Sequence, residues 1–255
     1  MALLDRGGVR IQYEVAGSGP AILLTHGFGA SSRMFSGNVD ALAKDNTVLT
    51  WDLRGHGASD YPADPEAYSA PLTLEDMAGV LDAAGVDHAV LLGHSLGGYL
   101  SLEFRLRFPE RAAGLVLVGT GPGFRNDEAR AGWNRFAEKT AERLAERGLD
   151  ALAKSDELSP GEHRDALGLV HAARGILPQR DASVIDSLPS VPVPTLVVVG
   201  ADDKTFLAGS QYVAAKVPDA ELEVVEGARH APNVSHAELF NERVRAFLDT
   251  VYGRS

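Results

Sequence analysis

A serine framed by two glycines directly follows an apolar run, and this arrangement limits the fold more than any other part of the sequence. Gly93, Ser95 and Gly97 form the pattern G-x-S-x-G. Residues 89–92 before it resemble a buried strand, and residues 96–107 after it carry apolar side chains at helical spacing. Glycines at these positions allow a sharp strand-to-helix turn that holds the serine in a strained conformation with its hydroxyl exposed. The alternative is a glycine-rich turn in which the serine is incidental.

Further apolar runs predict the remaining strands of an α/β fold. The runs are continuous rather than alternating, which indicates strands covered on both faces and therefore a mostly parallel central sheet with flanking helices. Two strand-like stretches separated by Gly7 and Gly8 predict an opening hairpin. In such sheets, functional side chains gather at the carboxyl ends of the strands. The predicted strands span residues 21–25, 47–51, 89–92, 115–118, 196–199 and 222–225, and the predicted helices span residues 76–84, 96–107, 211–216 and 236–251.

Residues 121–188 interrupt this alternation of strands and helices. They contain no strand-like run, whereas residues 128–147 and 162–173 have helical patterns rich in charge. The stretch is much longer than the usual connection between two strands, so we interpret it as a helical cap insertion over the strand ends. The alternative is a set of connecting helices on the flank of the sheet. The predicted organisation is a core first part at residues 1–120, the cap at residues 121–188, and a core second part at residues 189–255.

Composition argues against an extended anionic partner. The chain has 24 Lys and Arg against 35 Asp and Glu, a net charge of −11, which does not favour binding to nucleic acid or to an anionic membrane. The absence of cysteine excludes disulfides and thiolate chemistry. No apolar run reaches the length of a membrane span, and no signal peptide is visible. We expect a cytoplasmic protein with a small-molecule substrate, no nucleic-acid partner and no membrane span; the sequence does not indicate the oligomeric state.

A serine hydroxyl becomes an effective nucleophile when a base removes its proton and a carboxylate orients that base. Among eight histidines, His230 lies in a turn directly after the predicted strand 222–225, at the carboxyl edge of the sheet. His236 begins the last predicted helix, where a surface position is more usual, so we select His230 as the base. Asp202 and Asp203 follow the strand 196–199, and either carboxylate could orient the histidine or cap the next turn.

Attack on a carbonyl also requires main-chain N–H groups aimed at the oxygen that becomes negative. We expect one donor from Leu96, at the start of the helix after Ser95, where free amides point outward. A second donor is expected from Phe28, because residues 26–29 read H-G-F-G and the glycines let the main chain approach a substrate.

In their order and spacing these motifs resemble the α/β-hydrolase family, in its form with a serine nucleophile and a helical cap. Residues 26–29 resemble its oxyanion turn, residues 52–59 its D-x-R-G-x-G-x-S segment, residues 93–98 its nucleophile elbow and residues 227–232 its G-x-x-H-x-P turn. The resemblance covers nearly the whole chain and implies a triad of Ser95, His230 and Asp203. A serine nucleophile argues against the dehalogenase and epoxide hydrolase branches, whose chemistry resembles attack by a carboxylate.

The leading hypothesis is therefore a serine esterase: a carboxylic ester hydrolase or lactonase that cleaves small to medium, largely apolar substrates through an acyl-enzyme. On the same triad, the alternatives are C–C bond hydrolysis of the meta-cleavage type and thioester cleavage. A further alternative is a hydrolase-like ligand receptor. No cofactor and no metal ion are expected, because a triad needs neither. The side chains expected to contact substrate are His26, Phe35, Phe124, Trp133, Phe136 and Phe206.

Overall fold

An eight-stranded sheet forms the centre of the protein. The structure is a computed structural model and describes residues 1–152 and 160–254. The strands are β1 (Ala2–Asp5), β2 (Arg10–Ala16), β3 (Ala21–Thr25), β4 (Thr47–Trp51), β5 (Ala89–His94), β6 (Ala112–Val118), β7 (Thr195–Gly200) and β8 (Ala220–Val225). Their order in the sheet is β1-β2-β4-β3-β5-β6-β7-β8. β2 pairs antiparallel with β1 and β4, and all other neighbouring pairs are parallel. The predicted α/β fold with a mostly parallel sheet is confirmed.

Helices cover both faces of this sheet. They are α1 (Ser36–Leu42), α2 (Ala70–Ala83), α3 (Leu96–Arg107), α4 (Asp127–Arg147), α5 (Ala166–Gly175), α6 (Ser183–Ser187), α7 (Leu207–Lys216), α8 (Pro232–Ser235) and α9 (Ala237–Val251). Within the described residues, no helix combines the length and the apolar composition that a membrane crossing needs.

Two core clusters explain why the strand sequences are continuously apolar. One cluster joins Met77 of α2 and Leu100 of α3 to Leu91 of β5. The other joins Phe240 of α9 to Val90 of β5. Successive strand residues point to opposite faces of the sheet, and both Val90 and Leu91 are fully buried. An alternating pattern would leave one of these faces polar, so the apolar run is a direct consequence of helices on both sides.

Two helices on the flanks of the sheet differ from the sequence prediction. α2 begins at Ala70 rather than at residue 76, because the Ser69 side chain accepts a hydrogen bond from Leu72 N and caps the helix at this earlier point. α1 was not predicted. Its sequence includes Gly37 and Asn38, which have low helix propensity, and it is held in place by tertiary packing.

Between β6 and β7 the described residues form α4, α5 and α6 and no strand. α4 packs on α5 through an apolar cluster that includes Leu144 and Leu169. α5 begins at Ala166, later than predicted, because Asp165 caps it by accepting a hydrogen bond from Gly168 N at 3.2 Å. Part of the predicted cap, residues 153–159, lies outside the described residues. The cap boundaries at 121 and 188 stay a prediction.

Candidate active site

The turn between β5 and α3 places Ser95 at the carboxyl edge of the sheet. Ser95 has φ 52° and ψ −113°, and among the described non-glycine residues it alone has a positive φ. Its N–H donates to Val118 O at 2.8 Å, and its carbonyl accepts from Thr120 Oγ1 at 2.7 Å. These bonds hold a backbone conformation that is costly for a residue with a side chain, and strain of this kind is concentrated at functional sites.

Glycines stand on either side of Ser95 because the main chain leaves no room for side chains there. A Cβ at Gly97 would lie 2.1 Å from Thr25 O. A Cβ at Gly93 would lie 2.2 Å from main-chain atoms of Gly97. The G-x-S-x-G pattern is therefore a steric requirement of the turn.

The turn at residues 26–29 packs directly against the Ser95 turn. A Cβ at Gly27 would lie 2.8 Å from His94 Nδ1 and 3.2 Å from Ser95 Cβ. The next residue is Phe28, which lines a cavity together with Ser95. Leu96 opens α3, where a main-chain N–H has no acceptor within the helix. The two predicted oxyanion donors thus belong to two turns in contact; their role stays a prediction.

Two of the side chains predicted to contact substrate lie in the interior instead. His26 is fully buried; its Nδ1 is 2.7 Å from Gly27 O and its Nε2 accepts from Leu53 N at 3.0 Å. Burial lowers the pKa of His26 to about 4, which keeps the ring neutral. Phe35 is also fully buried, in the core cluster that contains Phe240. Neither ring lines a cavity beside Ser95, because both are packed within the core.

Asp203 and His230 form a close pair at the ends of β7 and β8. His230 Nδ1 lies 2.7 Å from Asp203 Oδ2. The other oxygen, Asp203 Oδ1, accepts from the N–H groups of Thr205 and Phe206 at 3.2 and 3.1 Å. Burial raises the pKa of Asp203, but the hydrogen bond and charge of His230 and the two N–H donors outweigh it and lower the pKa overall. Asp202, the other sequence candidate, is exposed.

Two further rings pack against His230. Phe206 is stacked on it, with ring centroids 4.9 Å apart and an angle of 21° between the planes. The His94 and His230 ring centroids are 4.6 Å apart, and His94 Nε2 is 3.0 Å from the carbonyl oxygen of His230. His236, the alternative base, is 2.9 Å from the hydroxyl of Ser235 through Nδ1 and has no part in this arrangement.

Two cavities share Ser95. The Tyr99 cavity, about 390 Å³, is lined by Ser95, Leu96, Tyr99, Gln179 and mainly apolar neighbours. The Phe136 cavity, about 240 Å³, is lined by Ser95, Phe28, Phe136 and His230. Trp133 and Phe206 line both cavities, Phe124 lines the first and Phe136 the second; their contact with substrate stays a prediction.

Sequence reasoning missed several residues of the cavity walls. Tyr99 is one helical turn beyond Ser95 in α3, so its position on the same side of the helix was available from the spacing. Leu177 and Gln179 lie between α5 and α6, and no local pattern indicates that this segment returns to the site.

The segment at residues 52–59 stabilises the main chain that follows the 26–29 turn. The Asp52 carboxylate accepts hydrogen bonds from Ser32 N at 2.7 Å and Ala58 N at 2.8 Å. Ser59 Oγ donates to Asp52 O at 2.6 Å. Gly57 has φ 50°, and a Cβ there would lie 2.2 Å from Asp52 Oδ2. This motif is therefore a brace that connects β4 to the residues following the 26–29 turn.

Three buried histidines near this brace are engaged with the main chain. His26 and His56 have ring centroids 5.1 Å apart, and His56 and His163 are 5.9 Å apart. His56 Nδ1 lies 3.0 Å from Arg54 O, and His163 Nε2 lies 2.9 Å from Gly29 O. Across residues 1–152 and 160–254, no group of three or more His, Asp or Glu side chains is placed to hold a metal ion.

Comparison with known proteins agrees with this geometry. The model of the alpha/beta hydrolase family matches residues 22–243, which include Ser95, Asp203 and His230. This chain belongs to the alpha/beta hydrolase family. It is 30% identical to the 2-hydroxymuconate semialdehyde hydrolase of Pseudomonas putida, over 94% of this chain and 91% of that protein.

Solved structures of other hydrolases have the same architecture. A thermophilic esterase from Thermogutta terrifontis is 25% identical, with coverage of 98% of both chains and a TM-score of 0.83. An N-acyl homoserine lactone degrading enzyme is 30% identical, with coverage of 96% of this chain, 100% of that chain and a TM-score of 0.73. The chain is therefore a hydrolase that is similar in fold to esterases and lactonases.

Proposed function

We propose that this hydrolase cleaves carboxylic esters or lactones through an acyl-enzyme formed on Ser95. The observation that carries the proposal is the 2.7 Å contact between His230 Nδ1 and the buried Asp203 carboxylate, at a cavity that Ser95 also lines. A serine on a strained turn, an imidazole oriented by a carboxylate and nearby main-chain amides are the components of acyl transfer.

In the first half-reaction, His230 Nε2 accepts the proton of Ser95 Oγ while Oγ attacks the carbonyl carbon of the substrate. The carbonyl oxygen becomes negative and is stabilised by the N–H groups of Phe28 and Leu96. The bond from that carbon to the alcohol oxygen then breaks, and His230 Nε2 gives its proton to the leaving oxygen. The acyl group remains on Ser95.

In the second half-reaction, His230 takes a proton from water as the water oxygen attacks the acyl carbon. Ser95 Oγ leaves, recovers the proton from His230, and the carboxylic acid is released. Asp203 stays ionised throughout, because its pKa lies below the ordinary range. Its charge stabilises the transient imidazolium and keeps a proton on His230 Nδ1, which leaves Nε2 free to accept.

The two cavities divide between the two halves of the substrate. The leaving oxygen must lie beside His230, which lines the Phe136 cavity and not the Tyr99 cavity. The alcohol side of the ester therefore occupies the Phe136 cavity. The acyl chain occupies the Tyr99 cavity, whose wall is mainly apolar.

The test combines labelling with turnover. A serine-directed phosphonate should label Ser95, as identified by mass spectrometry of a digest, and the protein should hydrolyse short-chain aryl esters repeatedly. Ser95→Ala should lose both properties. Ser18→Ala is the matched control, because Ser18 also lies between two glycines but is exposed on a turn away from the site. Full esterase activity in Ser95→Ala would contradict the proposal, and about one turnover per molecule would indicate a ligand receptor instead.

The similarity to 2-hydroxymuconate semialdehyde hydrolase supports a second candidate on the same residues, hydrolysis of a C–C bond. In that case the leaving atom that receives the proton is carbon rather than oxygen. Esters, thioesters and vinylogous diketones assayed under one set of conditions separate the candidates by their kcat/KM values.

A further inference from the structure

The apolar wall of the Tyr99 cavity is interrupted by the side chain of Gln179. Aromatic and aliphatic side chains supply most of the surface around it. Gln179 is only 8% exposed, and its Oε1 is buried with no hydrogen-bond partner among the described residues. Thr120 also lines the cavity, but its Oγ1 already donates to Ser95 O. Gln179 thus brings an unused amide to the wall of the cavity.

The main chain of Gln179 is held firmly against α4. Gln179 N donates to Asn134 Oδ1 at 2.9 Å, and Asn134 Nδ2 donates to Gln179 O at 2.9 Å. Two residues earlier, Leu177 O accepts from Trp133 Nε1 at 2.9 Å. Three hydrogen bonds from adjacent residues of one helix therefore fix the segment that carries the amide. A position fixed in this way is pre-organised for binding.

A glycine on the opposite segment provides the room for this amide. Gly123 has φ 84°, and a Cβ there would lie 2.8 Å from Gln179 Oε1 and 3.2 Å from Tyr99 Cε2. Any larger residue at position 123 would displace the amide or the ring. The amide and the Tyr99 ring therefore both pack close to Gly123, and all three residues line the cavity.

A buried amide oxygen without a hydrogen-bond partner costs about 1–3 kcal/mol, and a ligand that donates a hydrogen bond to it removes this cost. The unused acceptor Oε1 calls for an O–H or N–H donor. A charged donor is unsuited, because no carboxylate is among the described residues that line this cavity. A hydroxyl is small, donates to Oε1 and can accept from the amide N–H in return.

We propose that Gln179 is a specificity-determining residue that binds a hydroxyl group on the acyl chain of the substrate. This inference rests on the proposed function, which puts the acyl chain in the Tyr99 cavity. The preferred substrates are then esters of hydroxy acids, or lactones that carry a further free hydroxyl on the acyl chain.

The experiment uses methyl hexanoate and its derivatives with a hydroxyl at carbon 3, 4, 5 or 6. A pH-stat follows the reaction, since hydrolysis releases a proton and spontaneous lactone formation does not. For the best-placed hydroxyl, kcat/KM should exceed that of methyl hexanoate about tenfold, with the gain mainly in KM. In Gln179→Met, which has similar length and no hydrogen-bonding group, this ratio should fall to about one or below.

The control is Gln12→Met. Gln12 is also buried, and its Oε1 likewise has no partner among the described residues, but it lines a different cavity that does not contain Ser95. This variant should keep the preference of the wild type. A wild-type ratio near one at all four positions would overturn the inference, as would a preference that persists in Gln179→Met.

These results are separable from failure of the proposed function. If methyl hexanoate is hydrolysed in a Ser95-dependent manner without any effect of a hydroxyl, only the role of Gln179 is wrong. If none of the esters is hydrolysed and the phosphonate does not label Ser95, both proposals fail. A binding measurement on Ser95→Ala adds an independent check: the hydroxylated ester should bind about tenfold more tightly than methyl hexanoate, and equal affinities would overturn the inference.

Discussion

His94 Nε2 donates a hydrogen bond to the main-chain carbonyl of His230 across 3.0 Å. A carbonyl oxygen can only accept, so the proton of the His94 ring is on Nε2. Burial, followed by the proximity of His230, lowers the pKa of His94 well below its usual value, and the ring stays neutral. The residue that precedes Ser95 therefore fixes the main chain of the proposed base.

Replacing His94 with Phe keeps a ring but removes the donor. We expect kcat for an aryl ester to fall about tenfold to a hundredfold with little change in KM, because a misplaced base slows the chemistry rather than binding. Urea unfolding should show a loss of about 1–3 kcal/mol, since the carbonyl of His230 is left without its partner. His88→Phe is the control, because His88 is exposed. An unchanged kcat in His94→Phe would show that the bond does not position the base.

Asp203→Asn tests the orientation of the base. An amide in place of the carboxylate can donate to His230 Nδ1, which leaves the proton on Nε2 and prevents it from accepting the proton of Ser95. We expect kcat to fall by about four orders of magnitude while the thermal unfolding curve changes little. Asp202→Asn, on the adjacent exposed residue, should retain normal activity. Comparable losses in the two variants would argue against the assignment of Asp203.

The buried His26 makes stability depend on pH. Its pKa is about 4 in the folded protein because of burial, whereas in the unfolded chain a histidine titrates near pH 6.5. Below about pH 6.5 the unfolded chain binds a proton that the folded protein does not. The free energy of unfolding should therefore fall with decreasing pH by about 1.4 kcal/mol per pH unit for this group, until the folded ring titrates near pH 4.

Urea titrations between pH 7 and pH 4 measure this slope. His26→Gln should have a shallower slope by that amount, whereas the exposed His88→Gln should keep the slope of the wild type. Equal slopes in the wild type and His26→Gln would show that this ring does not titrate as described.

Gly57→Ala tests the brace around Asp52. The added Cβ would lie 2.2 Å from Asp52 Oδ2, at a residue with φ 50°. Gly85→Ala is the matched control, because Gly85 has φ 69° and no atom of the described residues lies within 4 Å of an added Cβ. Gly85→Ala should cost about 1 kcal/mol from backbone strain alone, and Gly57→Ala should cost at least about 2 kcal/mol more in urea unfolding. Similar losses in both would show that the Asp52 carboxylate moves aside without penalty.

The sheet and the Ser95 turn could be predicted because short stretches of consecutive residues determine both. The apolar runs of β3 and β4 end at the predicted residues, and the turn at Ser95 requires glycines that the sequence displays. Asp203 and His230 each follow a strand, so the common edge of a parallel sheet brings them together. The choice between Asp202 and Asp203 required the resemblance to a family, since both follow the same strand.

The residues that line the site were harder to predict, because they come from segments that are far apart in the sequence and meet only in the folded protein. Phe35 was expected to contact the substrate. An aromatic residue shortly after the 26–29 turn can equally well belong to the core, and Phe35 packs in the core cluster that contains Phe240 of α9. No pattern in the sequence around Gln179 predicts that this residue lines the site. Its position depends on two hydrogen bonds with Asn134 of α4, which is distant in the sequence.

The division of the site into two cavities has a consequence for the order in which products depart. On the proposed mechanism, an open-chain ester yields an alcohol that leaves from the Phe136 cavity while the acyl group is still bonded to Ser95, so the two products depart one after the other. In a lactone the leaving oxygen is attached to the acyl chain, so on the proposed mechanism the ring occupies parts of both cavities beside Ser95. Ring opening leaves the hydroxyacyl chain bonded to Ser95, and attack of water on this ester then releases one hydroxy acid from both cavities in a single event.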